Sequence, residues 1–502
     1  MVLTEEQKNV VNHGGNARVI AVAGSGKTST AIEYCRHRAK SPILYLAFNR
    51  SVREEAARKF REAGLTNVTV ETAHSLAFRR FNVGRRFQLH PTGGYKAVEI
   101  VDMFGLAGKK SAEFSLALAR HVLDLVNLFC SNNSRKLEDV DYLPVVKDPQ
   151  SRQFARKHLG KIKDLAYELL KRMYQGQTPI THDGYLKFWS LTDPLLSFQH
   201  VLFDEAQDAN GSMLEIVARQ EHSEKVLIGD PHQSIYAFRH AINSLSRVDY
   251  PQFTLTNSFR FGQHIAELAM KALRLKALVG LDGADVRVFG KGGSTEKSQR
   301  AVIARGNLAL LDQAISEMLK GQVAKPAFIG GISSYTYLSE GGSLFDILYL
   351  SMEKKGKIRD PFIAAFGSLD ELKAYTEETD DREVKLLVEL VEKYGPSLFD
   401  FIKLLRERQV DVSECDTVYS TVHRAKGLEF DCVHLTEDFI TADRIMKLQS
   451  AAEAPPKKGK EPTVLNLQQL NEEINLLYVA LTRSRNVLSL PFSIDPARTY
   501  RR

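Results

Sequence analysis

The chain has 502 residues, 43% of them hydrophobic, which gives room for about three or four domains with buried cores. Its formal net charge of +7 fits a polyanionic partner without establishing one. The four cysteines, Cys35, Cys130, Cys415 and Cys432, form no C-x-x-C pair, which argues against a zinc site or disulfides and favours free thiols. We identify no signal peptide and no apolar run that could span a bilayer, so we expect an intracellular protein with no membrane partner.

A glycine-rich loop follows the first predicted strand. Residues 18–21 form a short apolar run typical of a buried parallel strand, and residues 29–34, without Gly or Pro, predict a helix. A strand, a glycine loop, Lys-Thr and a helix, in that order, form a phosphate-binding loop. Lys27 is expected to reach the β- and γ-phosphates, and the Thr28 hydroxyl is expected to bind Mg²⁺. We therefore predict a nucleoside triphosphate site formed by Ala23, Gly24, Ser25, Gly26, Lys27, Thr28 and Ser29.

Strands and helices alternate along the rest of the first part of the chain. Apolar runs at residues 43–48, 68–70, 200–205 and 225–228 predict strands, and residues 51–60 predict a helix. This alternation predicts an α/β fold with a parallel sheet covered on both faces. Residues 78–180 are different, because they have the pattern of Lys- and Arg-rich helices, and we interpret them as a helical insertion.

Polar side chains follow two of these predicted strands. Downstream of a phosphate-binding loop, Asp204 is expected to hold Mg²⁺ through the coordination shell of the ion. Glu205 is expected to orient or deprotonate the attacking water. Gln233, at the end of the next strand, can sense the γ-phosphate. The pattern therefore predicts a centre that hydrolyses a nucleoside triphosphate at one edge of the sheet.

An aromatic and cationic group comes directly after Gln233. Tyr236 and Phe238 offer aromatic faces, and Arg239 offers a positive charge. Such a group can pack in a core, but aromatic residues with Arg are also how proteins stack single-stranded nucleic acid.

A second alternating region begins after residue 255 and contains no phosphate-binding loop of its own. Its candidate strands are residues 301–304, 327–329, 418–422, 432–435 and 487–490. We predict two α/β parallel-sheet domains in tandem, each with a mainly helical insertion. Their predicted bounds are 1–77 with 181–255 for the first domain, 78–180 for its insertion, 256–332 with 413–502 for the second domain, and 333–412 for its insertion.

Several motifs occur in the order found in one known family. They are Gln7 and residues 21–28, 204–208, 229–233, 259–260, 421–430 and 477–483. On these motifs the chain resembles the UvrD/Rep-type branch of the superfamily-one helicases, and residues 181–187 and 257–262 are most similar to the F-box DNA helicases. Only six residues precede Gln7, so the resemblance covers the motor region.

The resemblance implies two RecA-like domains that bind ATP between them and single-stranded DNA across the top. It implies that Gln7 reads the adenine, that Phe259 stacks on it and that Glu429 lies near the ribose. Gln233, Arg260 and Arg483 are implied to face the γ-phosphate. The implied DNA contacts are Phe48, Thr72, His74, Tyr236, Phe238, Arg239 and His423.

The leading hypothesis is an ATP- and Mg²⁺-dependent motor that moves 3′ to 5′ on single-stranded DNA, unwinding duplexes or removing recombinase filaments. Its expected partners are single-stranded DNA, DNA junctions and recombinase or repair proteins, and we expect it to act as a monomer. We expect it in the nucleus of a eukaryote or in the cytoplasm of a bacterial or virus-infected cell. One alternative is an ATP-gated DNA-binding subunit that serves a nuclease or another partner without processive unwinding. A metabolic kinase is the third reading, but it leaves the second α/β domain unexplained.

Overall fold

The computed structural model describes residues 2–106, 111–146, 148–236, 243–293, 299–335, 343–379, 382–454 and 464–494. The chain divides into two compact units by its contacts. One comprises Met1–Val22 and Gly26–Leu255, and the other comprises Ala23–Ser25 and Thr256–Arg502. Each unit has its own parallel sheet and its own hydrophobic core.

A six-stranded sheet forms the centre of the first unit. Its strands are β1 (Ala17–Ala21), β2 (Ile43–Ala47), β3 (Val68–Thr72), β4 (His200–Phe203), β5 (Glu224–Gly229) and β6 (Gln252–Leu255). Their order across the sheet is β3-β2-β4-β5-β1-β6, and every neighbouring pair is parallel. Because parallel strands end at the same edge, the segments that follow β1, β4 and β5 meet at the carboxyl edge of the sheet.

Helices cover this sheet and form the insertion between β3 and β4. They are α1 (Glu5–Asn12), α2 (Lys27–Arg36), α3 (Arg50–Glu62), α4 (Ala73–Arg80), α5 (Val83–Arg86), α6 (Ala97–Met103), α7 (Ala112–Ser131), α8 (Pro149–Tyr174), α9 (His182–Ser190) and α10 (Gly211–Ala218). Side-chain caps start many of them; Thr4 and Gln7, for example, form a reciprocal capping box at α1.

Successive residues of β2 enter different cores, as the period of a strand requires. Leu44 and Leu46 belong to the core that contains the insertion helices. Ile43 and Tyr45 belong to the core on the other face, with Phe60 of α3. Both faces of the sheet are therefore covered, which explains why β2 is apolar at consecutive positions.

Helix α7 corrects one expectation from the sequence. By length and composition, Phe114–Ser131 is apolar enough to cross a membrane, so the expectation that the chain has no such run is wrong. However, 61% of this window is buried, and Leu118, Val122 and Leu125 are fully enclosed in the core of the first unit. We therefore interpret α7 as a core helix of the insertion.

The second unit is built on a five-stranded parallel sheet and a smaller two-stranded one. The strands are β7 (Asn257–Ser258), β8 (Phe289–Gly290), β9 (Arg300–Ala304), β10 (Pro326–Phe328), β11 (Thr417–Thr421), β12 (Phe430–Leu435) and β13 (Ser484–Ser489). The larger sheet has the order β10-β11-β9-β12-β13, and β7 pairs with β8.

The helices of the second unit include a consecutive group between β10 and β11. They are α11 (Gln263–Arg274), α12 (Asn307–Leu319), α13 (Ser343–Ser351), α14 (Pro361–Ala364), α15 (Leu369–Thr379), α16 (Arg382–Tyr394), α17 (Leu398–Arg408), α18 (Val422–Ala425), α19 (Ala442–Glu453) and α20 (Leu467–Leu481). Helices α13 to α17 share one hydrophobic core with α12 and with Phe328 and Tyr419 of the sheet.

The predicted α/β fold with two parallel sheets is confirmed. Each strand predicted from an apolar run is present, displaced by at most a few residues at its ends. The four cysteines are free thiols, and Cys35 and Cys130 are buried.

Candidate functional site

The loop between β1 and α2 has the backbone geometry that its glycines allow. Gly24 and Gly26 have φ angles of 74° and 79°, in the left-handed region where glycine is favoured. Gly26 is the N-cap of α2 and has no side chain, so it leaves the first N–H groups of the helix to other acceptors. A helix N-terminus with this arrangement binds anions such as phosphate.

Lys27 at the start of α2 pairs with Glu205, which follows β4. Its Nζ lies 2.6 Å from Glu205 Oε1, and the two side chains are only 14% and 20% exposed. Burial disfavours the charged form of Lys27, but the negative charges of Glu205 and Asp204 outweigh burial and raise its pKa above the ordinary value. The ammonium group is therefore charged and held beside a carboxylate at the sheet edge.

Asp204 is held by Tyr45 of β2. The Tyr45 hydroxyl donates to Asp204 Oδ2. Burial, together with the charge of Glu205, raises the pKa of Asp204 to about 6. A cation would relieve this crowding of negative charge.

These oxygen donors fit Mg²⁺. Mg²⁺ is usually held by one or two protein oxygens together with substrate phosphates, and not by a cage of protein ligands. Within the described ranges there is no group of three or more His, Cys, Asp or Glu that could hold a metal ion. The hydroxyl of Thr28 and the carboxylate of Asp204 therefore suit a magnesium ion that arrives with phosphate.

A chain of hydrogen bonds connects Glu205 with Gln233. Gln207 donates to Glu205 Oε2 at 2.5 Å, and its own Oε1 accepts the Asp230 N–H at 3.0 Å. The Asp230 carboxylate in turn accepts from Gln233 Nε2 at 2.7 Å. A Cβ at position 229 would lie 2.2 Å from Gln207 Oε1, so a larger residue than Gly229 would displace this amide. The two predicted catalytic side chains are thus held in one network.

Glu205 has an unusual backbone conformation. Its φ angle of 52° lies in the left-handed region, which non-glycine residues seldom adopt. Such strain concentrates at functional sites, where surrounding contacts hold it in place. At this position the contacts include the Lys27 ion pair and the Gln207 amide.

Gln7, which the resemblance assigns to adenine, is buried with 1% exposure. Its side-chain oxygen accepts the Thr4 N–H at 3.0 Å. Helix α1, which carries it, packs on α2, so Gln7 belongs to the same unit as Lys27. Ser29 lies in the first turn of α2 and is half-buried.

Two of the predicted DNA contacts lie against each other. Phe48, directly after β2, stacks on Tyr236 with ring centroids 5.6 Å apart and an interplanar angle of 17°. His74 of α4 lies 3.2 Å from the Asp183 carboxylate, and Thr72 caps α4. Phe238 and Arg239 lie outside the described residues.

In the second unit, Glu429 joins two arginines. Arg260 Nη2 lies 2.7 Å from Glu429 Oε1, and Arg485 Nε lies 3.1 Å from Oε2. Burial would raise the pKa of Glu429, but the two guanidinium groups outweigh it and lower the pKa below its ordinary value. Arg260 also donates to the Thr482 carbonyl at 2.9 Å.

Phe259 precedes Arg260 and has an exposed ring, with 44% of the residue accessible. Its N–H donates to the carbonyl of Gly24, a residue of the same unit, at 2.8 Å. A side chain at Gly24 would lie 2.6 Å from Arg260 Cβ, so this position also requires glycine. His423 lies in the short helix α18 and is half-buried.

Arg483 lies in the interior of the second unit, with 1% exposure. Its guanidinium donates to the carbonyls of Val479 and Leu428 at 3.0 and 3.2 Å. A third donation reaches the Thr482 hydroxyl at 3.3 Å. Arg483 therefore ties the end of α20 to the segment that carries Glu429.

Comparison of the sequence with known proteins finds matches to one kind of helicase. Residues 189–250 match the UvrD/REP helicase N-terminal domain, and residues 350–493 match the UvrD-like helicase C-terminal domain. F-box DNA helicase 1 of Gallus gallus is 30% identical over 98% of this chain and 49% of its own length. The chain thus matches both the N-terminal and the C-terminal domain of UvrD-like helicases.

Other UvrD-like relatives agree with this assignment. F-box DNA helicase protein 1 of Schizosaccharomyces pombe is 27% identical over 97% of the chain and 57% of its own length. ATP-dependent DNA helicase SRS2 of Saccharomyces cerevisiae is 37% identical over 84 residues, which are 14% of this chain and 7% of that protein. The chain spans about half the length of the F-box relatives, and the predicted resemblance to them is confirmed.

Sequence reasoning assigned no role to Tyr45, Gln207, Asp230 or Arg485 of this UvrD-like site. Tyr45 carries a hydroxyl within an otherwise apolar strand. An analysis of hydrophobic periodicity counts such a tyrosine as a core residue and overlooks its hydroxyl. Gln207 and Asp230 lie inside segments recognised as motifs. Their function as connectors depends on contacts between loops that follow different strands, which no single segment reveals.

Proposed function

We propose that this UvrD-like chain hydrolyses ATP and uses the energy to move 3′ to 5′ along single-stranded DNA. The observation that carries the proposal is the partly buried pair of Lys27 and Glu205 at the carboxyl edge of a parallel sheet, beside Asp204. On DNA, such movement would separate duplexes or displace bound proteins such as recombinase filaments.

The resting ion pair suggests how ATP starts the reaction. When the γ-phosphate approaches the N-terminus of α2, Lys27 transfers its contact from the carboxylate to phosphate oxygen. Glu205, released from its cation, then accepts a proton from water as the water attacks the γ-phosphorus and the bond to the ADP oxygen breaks. Gln207 keeps the Glu205 carboxylate in position during this exchange.

Thr28 and Asp204 would hold Mg²⁺, which neutralises charge on the phosphates when it is bound. Tyr45 orients the Asp204 carboxylate for this role through its hydroxyl. We assign Gln233 to γ-phosphate sensing and Arg260 and Arg483 to the stabilisation of charge on the transferring phosphoryl group. Gln7 and Phe259 are assigned to the adenine and Glu429 to the ribose.

We assign the DNA contacts to aromatic, polar and cationic side chains that follow strands of the first unit, and to His423 of the second unit. The stacked pair of Phe48 and Tyr236 offers ring surface for bases. The remaining proposed contacts are Thr72, His74, Phe238, Arg239 and His423. Sequence-independent stacking and phosphate contacts suit a protein that moves along DNA.

The proposed context follows from the same resemblance. The motor domains are residues 1–77 with 181–255 and 256–332 with 413–502, interrupted by insertions at 78–180 and 333–412. We propose a monomeric motor that acts on DNA junctions with repair or recombinase proteins, in the nucleus of a eukaryote or the cytoplasm of a bacterial or virus-infected cell.

Strand displacement on two matched substrates tests this function. One duplex carries a 3′ single-stranded tail and the other a 5′ tail of the same length and sequence. The proposal predicts ATP-dependent separation of the first only, and no separation by Glu205→Gln, which keeps the shape of the side chain but removes the base. Equal or faster separation of the 5′-tailed duplex would overturn the polarity, and DNA-stimulated ATP turnover without any separation would favour an ATP-gated binding subunit.

A further inference from the structure

A cavity of about 590 Å³ lies in the helical part of the second unit, between α13 and α17. Its size falls within the range of small-ligand sites. Residues of one face of α13 and one face of α17 line it, together with the turn after α13 that contains Gly356. We call it the α13–α17 cavity.

Three aromatic side chains form one wall of the α13–α17 cavity. Phe345 and Phe399 are stacked, with centroids 5.3 Å apart and an interplanar angle of 6°. Tyr349, one helical turn beyond Phe345, lies 5.9 Å from Phe399. All three are only partly buried, so ring surface remains for a planar ligand.

Four cations line the same cavity. They are Lys357, Arg359, Lys403 and Arg406, all exposed. This concentration is local, because residues 333–412 contain eleven Lys and Arg against sixteen Asp and Glu. A cavity with four cations in a segment of net negative charge indicates an anionic ligand.

Asp346, the one carboxylate lining the cavity among the described residues, is committed to the backbone. It is 1% exposed and accepts the N–H groups of Arg359 and Asp360 at 3.0 and 3.2 Å. Its charge is thus compensated by two donors, and it holds in place the segment that carries Arg359.

We propose that the α13–α17 cavity binds an unpaired segment of single-stranded DNA, by stacking a base on the aromatic wall and pairing phosphates with the four cations. Bases inside a duplex are already stacked on each other and do not reach the aromatic wall. An acidic peptide would pair with the four cations, but its carboxylates would leave the aromatic wall without a stacking partner. The cavity shares no residue with the DNA contacts assigned above, so it is a second strand site. The inference rests on the proposed function, since it gives the second strand of a fork a place on the motor.

Binding measured by anisotropy in the absence of ATP tests the site. The two probes are a duplex with a 3′ oligothymidine tail and a fork that carries the same 3′ tail plus a 5′ oligothymidine tail. Wild-type protein should bind the fork about tenfold more tightly, as expected when one base stacks. The fork with an abasic 5′ tail should lose most of this preference.

Two double variants provide a matched comparison. Lys403→Ala/Arg406→Ala removes two lining cations, whereas Lys385→Ala/Arg408→Ala removes two exposed cations of α16 and α17 outside the lining. The first should abolish the fork preference and reduce the slope of log Kd against log salt by about 1.4, since each phosphate contact on a single strand contributes roughly 0.7. The second should leave both quantities at wild-type values. Tyr349→Leu should weaken fork binding while keeping the salt slope.

Three results would overturn the proposal. An equal loss of affinity for both probes in the lining variant would indicate a duplex-binding surface, and no loss for either would exclude a nucleic-acid site. An equal effect of the two double variants would indicate that fork binding depends on the overall positive charge of the protein and not on the cavity. If single-stranded DNA fails to stimulate ATP turnover by wild-type protein, the motor function fails, but the comparison of forks still decides the cavity.

Discussion

Lys27 and Glu205 neutralise each other at a distance of 2.6 Å, although both belong to motifs expected to act on ATP. The phosphate-binding loop supplies the cation and the segment after β4 supplies the anion, so two distant parts of the sequence meet at the sheet edge. An arriving phosphate competes with a carboxylate for the same ammonium group. In the proposed reaction, ATP binding would therefore release the base.

Lys27→Ala should reduce ATP turnover by at least 10² to 10³-fold, because the transferring phosphate loses a preorganised positive charge. The fold should survive, since a helix start tolerates Ala. Steady-state hydrolysis with oligothymidine, together with a thermal melt, measures both effects. Lys59→Ala is the matched control, since it removes a lysine from an exposed pair of equal length with Glu55. Turnover near the wild-type rate in folded Lys27→Ala would exclude the loop as the ATP site.

Tyr45→Phe should raise the Mg²⁺ concentration needed for half-maximal turnover by about 10- to 100-fold, the usual cost of losing an outer-shell partner. The ring, which packs on Phe60 with centroids 5.1 Å apart, is retained, so stability should change little. The measurement is ATPase rate against Mg²⁺ at saturating ATP. An unchanged Mg²⁺ requirement would mean that Asp204 needs no help from Tyr45.

Arg260→Ala should lower turnover by about 10³-fold while ATP affinity changes far less, if Arg260 stabilises charge on the transferring phosphate. Arg485→Ala is the control, because Arg485 pairs with the same Glu429 but is 45% exposed. Arg483→Ala is a less specific test, since it also removes the guanidinium that donates to the carbonyls of Val479 and Leu428 inside the second unit. Equal turnover rates for Arg260→Ala and Arg485→Ala would show that Arg260 does not stabilise the transferring phosphate.

Glu317 makes the stability of the second unit dependent on pH. Burial raises its pKa, but hydrogen bonds from Arg300, Tyr419 and Gln313 outweigh burial and lower the pKa below 4.5. A lowered folded-state pKa means that the stabilisation is present above about pH 4.5 and is lost as pH falls through the folded value.

Glu317→Gln should therefore cost about 3 kcal/mol of unfolding free energy at pH 7 and less at pH 4, which lies below the ordinary pKa of a glutamate. The cost lies at the low end for a buried pair because Arg300 is 37% exposed. Urea unfolding at the two pH values measures it. A cost independent of pH would show that the carboxylate charge contributes nothing.

The architecture was predictable wherever apolar residues determine it. The run Ile-Leu-Tyr-Leu-Ala of β2 is buried at every position, and burial on both faces is the signature of a central parallel strand. The alternation of such runs with helices therefore gave both sheets. The apolar window of α7, Phe114–Ser131, was overlooked, because residues 78–180 as a whole were interpreted as Lys- and Arg-rich helices.

The residues of the candidate site could be predicted from motifs, but the contacts between them could not. Motif order identified Lys27, Glu205 and Gln233, but the link through Gln207 and Asp230 depends on how loops after β4 and β5 approach each other. Similarly, a motif names Arg483 without revealing that its donors meet backbone carbonyls. Hydrogen bonds between segments that are distant in the sequence can be identified only from the three-dimensional structure.

The rate of ATP hydrolysis by the wild-type chain, with and without oligothymidine, tests the central claim most directly. A motor that couples ATP to single-stranded DNA should turn over at least tenfold faster when the DNA is present. The stimulation should decrease as salt rises, because phosphate contacts release counterions. A rate that oligothymidine leaves unchanged would contradict the account, whatever the affinity for DNA.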